Sequence, residues 1–228
     1  MRLSIIVPVY NEKHTIKAII ERLEKLPVEK EIIVVDDGST DGTRQLLEKL
    51  EGDLSADVTV IYQKENRGKG AAIRSGLEKV TGEIVVIQDA DLEYEPADIL
   101  ELMKPVVAGQ TSVVYGSRVL GKNPRSSLCF YLGGRLLSWL TNLLYGTRIT
   151  DEPTGYKLFR TEVLRSLSLE CERFEFCPEV TAKVSRRGFK IVELPIRYHP
   201  RKRKEGKKIS WRDGIVAVIT LFRYWLWS

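Results

Sequence analysis

The sequence predicts an α/β fold, doubly wound around a mostly parallel sheet with helices on both faces, and two observations carry the prediction. Short apolar runs rich in Val and Ile recur through the first 115 residues, and each of the first four is followed by a segment with helical apolar spacing. The runs are continuous rather than alternating, as strands covered on both faces require.

In chain order, the expected strands are Leu3 to Val9, Glu31 to Val35, Val58 to Tyr62, Glu83 to Ile87 and Ser112 to Tyr115. The helices between them are expected at Thr15 to Leu26, Asp41 to Glu51, Gly70 to Val80 and Ala97 to Val107, the first with Ile16, Ile19, Ile20 and Leu23 on one face. Strand alternating with helix implies right-handed crossovers, and ligands bind such sheets at the carboxyl ends of the strands. The pattern then changes. A Gly, Ser, Arg, Asn and Pro-rich loop, Gly116 to Ser127, precedes an amphipathic helix from Leu128 to Leu144. A turn at Asp151-Glu152-Pro153-Thr154-Gly155 follows, then a helix near Pro178 to Arg187, a strand at Lys190 to Ile196, a basic loop and a closing helix from Trp211. The organisation expected is one domain over 1–228, with a donor-side half, 1–116, and an acceptor-side half, 117–228.

Composition narrows the class. With 228 residues, 43% hydrophobic and 29% charged, the chain can bury a substantial core, and collagenous, low-complexity and disulfide-scaffold classes are excluded. Cys129, Cys171 and Cys177 form no Cys-x-x-Cys pair and are odd in number, which fits a reducing cytosolic setting without structural zinc. His14 and His199 are remote from each other in sequence, which argues against a histidine metal centre. The apolar N-terminal run is too short for a signal sequence, and no stretch approaches the roughly 18 apolar residues of a membrane span. Net charge is +5, concentrated in residues 197–212, where eight Lys or Arg face one Glu. Such a cluster calls for an anionic partner: phosphate, anionic lipid or nucleic acid. The basic stretch Arg201 to Lys208 lacks interleaved aromatics and the strand-end loops are acidic, so nucleic acid is the least favoured of these.

The chemistry-bearing constellation is Gln88-Asp89-Ala90-Asp91-Leu92-Glu93, directly after the fourth strand. Two carboxylates one residue apart can face one cation, and carboxylate oxygens suit Mg²⁺ or Mn²⁺, while Ala90 leaves room for a ligand. An Asp-x-Asp before a helix is commonplace in turns; its place at the end of a central strand gives it weight. A second acidic loop, Asp36-Asp37-Gly38-Ser39-Thr40-Asp41-Gly42, ends the second strand, where a carboxylate suits a nucleobase or ribose and Ser39, Thr40 or Asp41 suits a helix cap. At the end of the first strand, Tyr10 and Glu12 in Pro8-Val9-Tyr10-Asn11-Glu12 suit a base. Asn66-Arg67-Gly68-Lys69-Gly70 lacks phosphate-loop spacing and is expected to start a helix beside the nucleotide, with Lys69 a candidate phosphate contact.

These motifs, with Gly116-Ser117-Arg118, Asp151-Glu152-Pro153-Thr154-Gly155-Tyr156 and the late Arg201 and Lys207, resemble the family 2 glycosyltransferases of GT-A fold. Within them the chain is most similar to the dolichyl-phosphate mannose synthase and polyprenyl-phosphate glycosyltransferase group, over residues 3 to about 215. The resemblance implies a nucleotide-sugar site of Pro8, Tyr10, Glu12, Val35, Asp37, Gln88, Asp89 and Ala90. It implies metal contacts at Asp89, Asp91 and Glu93, and contacts from Arg118, Arg201 and Lys207 to donor or acceptor phosphates.

The expected reaction is inverting transfer of a hexose, mannose or glucose, from a GDP- or UDP-sugar to a polyprenyl phosphate, assisted by Mg²⁺ or Mn²⁺. A phosphate acceptor is already anionic and needs no base. In relatives acting on hydroxyls, an acid before the acceptor-side helix serves as base, and Asp151 or Glu152 stands there. A saccharide or glycolipid hydroxyl acceptor is therefore the alternative, and nucleotidyl transfer a remoter one. Glu175 and Glu179 are candidates for the acceptor side or simple helix-start acids. The helix Leu128 to Leu144 is expected to pack into the core. The Trp-rich closing segment is expected to contact a membrane or a membrane-protein partner, which would place the protein peripherally at a cytoplasmic membrane face.

Overall fold

The computed structural model describes residues 1–124, 127–201 and 210–227. Among them are seven strands, β1 Leu3–Val9, β2 Lys30–Asp36, β3 Val58–Tyr62, β4 Ile84–Ile87, β5 Val113–Ser117, β6 Lys157–Arg160 and β7 Ile191–Pro195. The helices are α1 Ile16–Glu24, α2 Thr43–Leu50, α3 Lys69–Leu77, α4 Asp98–Val107, α5 Leu128–Tyr145, α6 Thr161–Ser166, α7 Phe176–Arg186 and α8 Trp211–Leu226.

The strands form one sheet in the order β3-β2-β1-β4-β6-β5-β7. Pairing is parallel for β1 with β2 and β4, for β2 with β3, and for β5 with β7. Only β6 runs antiparallel, to both β4 and β5. The sequence reading missed β6 and α6, because Lys157-Leu158-Phe159-Arg160 is four residues flanked by cations and reads as loop. Lys157 is nevertheless fully buried. Its ammonium donates to Glu152 O at 2.6 Å and lies 3.9 Å from the Tyr115 ring centroid, which offsets part of its desolvation.

Residue alternation along each strand supplies two cores. Leu3, Ile5, Val7 and Val9 of β1, with Ile32 and Val34 of β2, pack with α1 and with Ile99, Leu102 and Val106 of α4. Ile6, Ile33, Val35, Val85 and Ile87 face the other side, with Ala72 and Ile73 of α3 and Phe176, Val180 and Val184 of α7. Gly76 lets α3 approach the sheet closely, since a Cβ there would lie 2.7 Å from Ile6 Cγ2.

Parallel register brings the ends of β1, β2 and β4 to one edge: Val9 pairs with Asp36 and Ile6 with Ile87. The three motifs that follow β1, β2 and β4 therefore meet where the sheet geometry predicts.

The helix expected to pack into the core, α5, departs from that expectation. Only Leu137, Ser138 and Thr141 of it are buried, while Leu128, Leu132, Leu136, Trp139 and Leu143 are exposed. It is joined to α8 through Leu137, Ala217 and Leu221, and Tyr145 Oη donates to Leu221 O at 2.5 Å. α8 in turn exposes Trp211, Ile215, Ile219, Phe222 and Trp225, and Trp227 just beyond it is exposed too.

Candidate active site

The loop after β2 is fastened to the loop before α3. Asp37 is 3% exposed, and its carboxylate accepts from Arg67 N at 2.9 Å, Gly68 N at 2.7 Å and Asn66 Nδ2 at 2.9 Å. Burial pushes its pKa up, aided by neighbouring Asp36, against the two amide bonds. Gly38, at φ +70, is required here, because a side chain would overlap the backbone of Glu65 and Asn66. Asp36 pairs instead with Arg44, Nε to Oδ2 at 2.9 Å. Asp41 accepts from Thr43 N at 2.9 Å across Gly42, the N-cap of α2, and the helix starts two residues later than the sequence reading placed it.

At the end of β1, Asn11 takes φ 52 and ties the loop to the next one, Asn11 N donating to Ser39 Oγ at 2.9 Å and Thr40 N to Asn11 Oδ1 at 2.8 Å. Pro8 and Tyr10 are half-buried at this edge. Glu12 is buried, and its carboxylate accepts from Thr15 Oγ1 at 2.8 Å and from Arg201 at 3.0 and 2.8 Å.

β4 delivers the acidic pair to the same edge. Asp89 Oδ1 meets Lys69 Nζ at 2.5 Å, and its Oδ2 faces Gly155 so closely that a Cβ on that residue would overlap it. Ala90 is 3% exposed. Asp91 Oδ1 accepts from Glu93 N at 3.0 Å, and Oδ2 lies 3.2 Å from Arg201 Nη2. Burial, then the nearby charges of Asp89 and Glu93, push the Asp91 carboxyl up to about 6, against the pull of Arg201. The surplus of negative charge is what a divalent ion would relieve, and the oxygen-only donor set suits Mg²⁺ or Mn²⁺. Among the described residues, no group of three His, Cys, Asp or Glu side chains is arranged to hold a metal. Asp89 and Asp91 are the carboxylates that would hold such a cation.

Glu93, expected as a third metal contact, has its carboxylate on Arg201 N at 2.7 Å and Tyr198 Oη at 3.2 Å. His199 N donates to Glu93 O at 2.8 Å, and Tyr94 bridges antiparallel to Tyr198. The segment after β7 is thus strapped across the acidic loop.

In the turn before β6, Asp151 is 3% exposed and takes Arg118 N and Nε at 2.8 Å each and Nη2 at 2.7 Å. Burial raises its pKa, but the Arg118 charge and hydrogen bonds outweigh it and leave it below the usual Asp value. A carboxylate so held is a poor base. Arg118 also lies 5.3 Å from the Tyr198 ring centroid. Gly155 N donates to Tyr94 Oη at 3.0 Å, and Tyr94 stacks on Tyr156 with centroids 4.7 Å apart, so this loop and the acidic loop share one aromatic floor.

Four expected site residues look inward. Val35 is fully buried, its side chain beside Gly76 of α3, so only its backbone faces the edge. Gln88 is fully buried, accepting from Tyr156 Oη at 2.5 Å and donating to Asp89 O at 2.9 Å. Glu179 is fully buried as well, accepting from Glu170 N, Cys171 N, Lys183 Nζ and Tyr224 Oη, and Glu152 lies fully buried beneath the turn. Lys207 lies outside the described residues. The sequence reading underweighted Lys69 and Gly155. Lys69 sits in a Gly-x-Gly frame that signals close approach, but its partner is 20 residues away.

The family model for glycosyl transferase family 2 matches residues 4–167, and the chain belongs to that family. The UDP-N-acetylglucosamine--dolichyl-phosphate N-acetylglucosaminyltransferase of Methanococcus voltae is 32% identical over 213 residues, covering 85% of this chain and 84% of that protein. The dodecaprenyl-phosphate galacturonate synthase of Rhizobium johnstonii is 26% identical over 237 residues, covering 98% and 68%. Glucosyl-3-phosphoglycerate synthase from Mycobacterium tuberculosis, crystallised with Mn²⁺, UDP-glucose and phosphoglyceric acid, superposes with a TM-score of 0.74 at 21% identity, over 98% of this chain and 79% of that one. The fold is the GT-A type that the sequence predicted.

Proposed function

We propose that this family 2 glycosyltransferase transfers a hexose, mannose or glucose, from a nucleotide-diphosphate sugar to a polyprenyl phosphate, with inversion, using a divalent cation held by Asp89 and Asp91. The observation that carries the reading is the convergence of Asp89 and Asp91 with Lys69 and Arg201 at the carboxyl edge of β1, β2 and β4. Relatives named for dolichyl-phosphate and dodecaprenyl-phosphate products support the acceptor class. The tie between Asp151 and Arg118 supports it too, because an acceptor phosphate needs a positioned cation rather than a base.

In this reading Tyr10 and Glu12 border the base, and Asp37 acts by holding the Arg67-Gly68 backbone that borders it. Asp89 and Asp91 orient the cation, which when bound offsets the charge that develops on the departing diphosphate. Lys69 and Arg201 supply further positive charge to the same oxygens, and Arg118, fixed by Asp151, draws the acceptor phosphate toward the anomeric carbon.

The exposed stripes of α5 and α8 are proposed to lie in the interfacial layer of a membrane, where the polyprenyl chain resides. Arg212 and Arg223 of α8 flank the Trp residues, as an anionic lipid surface favours. Among the described residues, no helix is long and apolar enough to cross a membrane. A cytoplasmic membrane face is the proposed location.

The test is transfer from labelled UDP- and GDP-hexoses to polyprenyl phosphate in vesicles with Mn²⁺ or Mg²⁺. Label is expected in the lipid fraction, β-linked when the donor is α-linked, and Asp89→Asn or Asp91→Asn should lower it by about two to three orders of magnitude. Full transfer in the double Asn variant, or an α-linked product from an α-linked donor, would refute the metal and inversion assignments respectively.

A further inference from the structure

Each acid of the candidate metal pair already faces one of the chain's own cations: Lys69 on Asp89 at 2.5 Å and Arg201 on Asp91 at 3.2 Å. Lys69 is the more deeply placed, with its side chain 12% exposed. It is also held from two sides. Asp37 takes the Arg67 and Gly68 amides just before it, and Ala71 N donates to Glu172 O at 2.9 Å just after it. Gly68 adopts φ +103 against Glu172 and Arg173, and a side chain on Gly70 would overlap Cys171 O. The first residue of α3 therefore projects its ammonium onto Asp89 from a fixed backbone.

An ammonium 2.5 Å from Asp89 Oδ1 would compete with a cation for that oxygen, because like charges so close repel strongly in a site shielded from water. Cation binding therefore requires the ammonium to find another anion. The diphosphate of a donor brings about two negative charges to the same edge. A cation taken up by Asp89 would leave the displaced ammonium without its anion, and the diphosphate supplies one.

We propose that Lys69 is a positioning residue that exchanges partners: it holds Asp89 while the donor site is empty and passes to the donor diphosphate as the cation takes the carboxylate. Cation and nucleoside diphosphate consequently bind cooperatively. The exchange rests on the metal reading above.

The test is a pair of binding measurements on the full chain. Mn²⁺ is titrated into nucleotide-free protein and followed by the electron paramagnetic resonance of unbound Mn²⁺. UDP and GDP are titrated separately at saturating Mn²⁺ by calorimetry, against a protein-free blank. Lys69→Met is expected to bind Mn²⁺ about tenfold more tightly than wild type and the nucleoside diphosphate about tenfold more weakly, while Lys69→Arg keeps the wild-type order. Opposite shifts distinguish exchange from structural damage, which weakens both. Lys69→Gln, read the same way, serves if the Met variant does not fold. Unchanged or weaker Mn²⁺ binding in the Met or Gln variant, with Asp91→Asn still abolishing it, overturns the exchange. The metal reading itself fails if wild type holds no Mn²⁺ with or without nucleotide, or if the Asn variants bind it normally.

Discussion

Arg118 grips Asp151 through three donors of one residue, its amide, Nε and Nη2, at 2.8, 2.8 and 2.7 Å. The pair sits beside the aromatic floor of the acidic loop, and the carboxylate is 4% exposed. Glu193 secures the same turn by accepting from Thr150 N at 2.7 Å and Asp151 N at 3.0 Å.

Removing the carboxylate leaves a partly buried guanidinium without its partner. Asp151→Ala is expected to cost about 3 kcal/mol in urea unfolding, and Arg118→Met with Asp151→Ala less than the sum of the single changes. Asp151→Asn keeps an acceptor for the Arg118 amide, and measurable transfer to polyprenyl phosphate should survive. If Asp151→Asn were catalytically dead yet normally stable, a general base for a hydroxyl acceptor would be the better account.

Gly155 offers a test of the acidic pair that leaves its residues untouched. A Cβ there would overlap Asp89 Oδ2 and approach Tyr94 Cε2 at 3.0 Å. Gly155→Ala should displace the Asp89 carboxylate, lowering transfer at least about a hundredfold while far-UV circular dichroism stays unchanged. Wild-type turnover in this variant would show that the carboxylate has room to move without consequence.

Acid sensitivity is expected from Glu179. Burial raises its pKa, but bonds from Lys183 and the Glu170 and Cys171 amides outweigh it and hold the group below its ordinary 4.5. A depressed folded-state value means that the stabilisation is complete above about 4.5 and is lost as pH falls through the folded value. Urea midpoints measured from pH 7 to pH 3 should fall below pH 5. Glu179→Gln should lower stability at pH 7 by about 2 kcal/mol and flatten the acid limb; an unchanged limb would assign the acid sensitivity to other carboxylates.

The outward stripe of α5 makes a separate prediction. Replacing Leu132, Leu136 and Trp139 together with Ser removes apolar side chains that are more than half exposed. Thermal stability should change little, while co-flotation with anionic phospholipid vesicles falls about tenfold or more. Equal flotation would assign membrane contact, if present, to the Trp-rich face of α8 alone.

Much of the fold was legible because its signals are local. The β-branched runs, their continuity and the helical spacing between them located β1 to β5 and α1 to α4 within a few residues, and parallel register then required Asp37, Glu12 and Asp89 to share an edge. β6 went unread because its buried Lys157 is tolerated only where Glu152 O of the preceding turn and the Tyr115 ring of neighbouring β5 meet its ammonium. Nor does helical spacing in α5 say whether its apolar stripe meets a sheet or solvent, since both demand the same period.

The sequence by itself determined which residue types reach the active edge, because strand ends and turn chemistry are short-range properties of the chain. Tertiary structure alone decided what each carboxylate does there: Asp37 fastens a loop, Asp151 holds Arg118, Glu93 anchors a strap, and Asp89 and Asp91 each face one of the chain's cations. The physical reason is that a carboxylate's role depends on which donors and charges surround it once water is excluded, and here those partners lie from 20 to 189 residues away in sequence for the charges on Asp89 and Glu12.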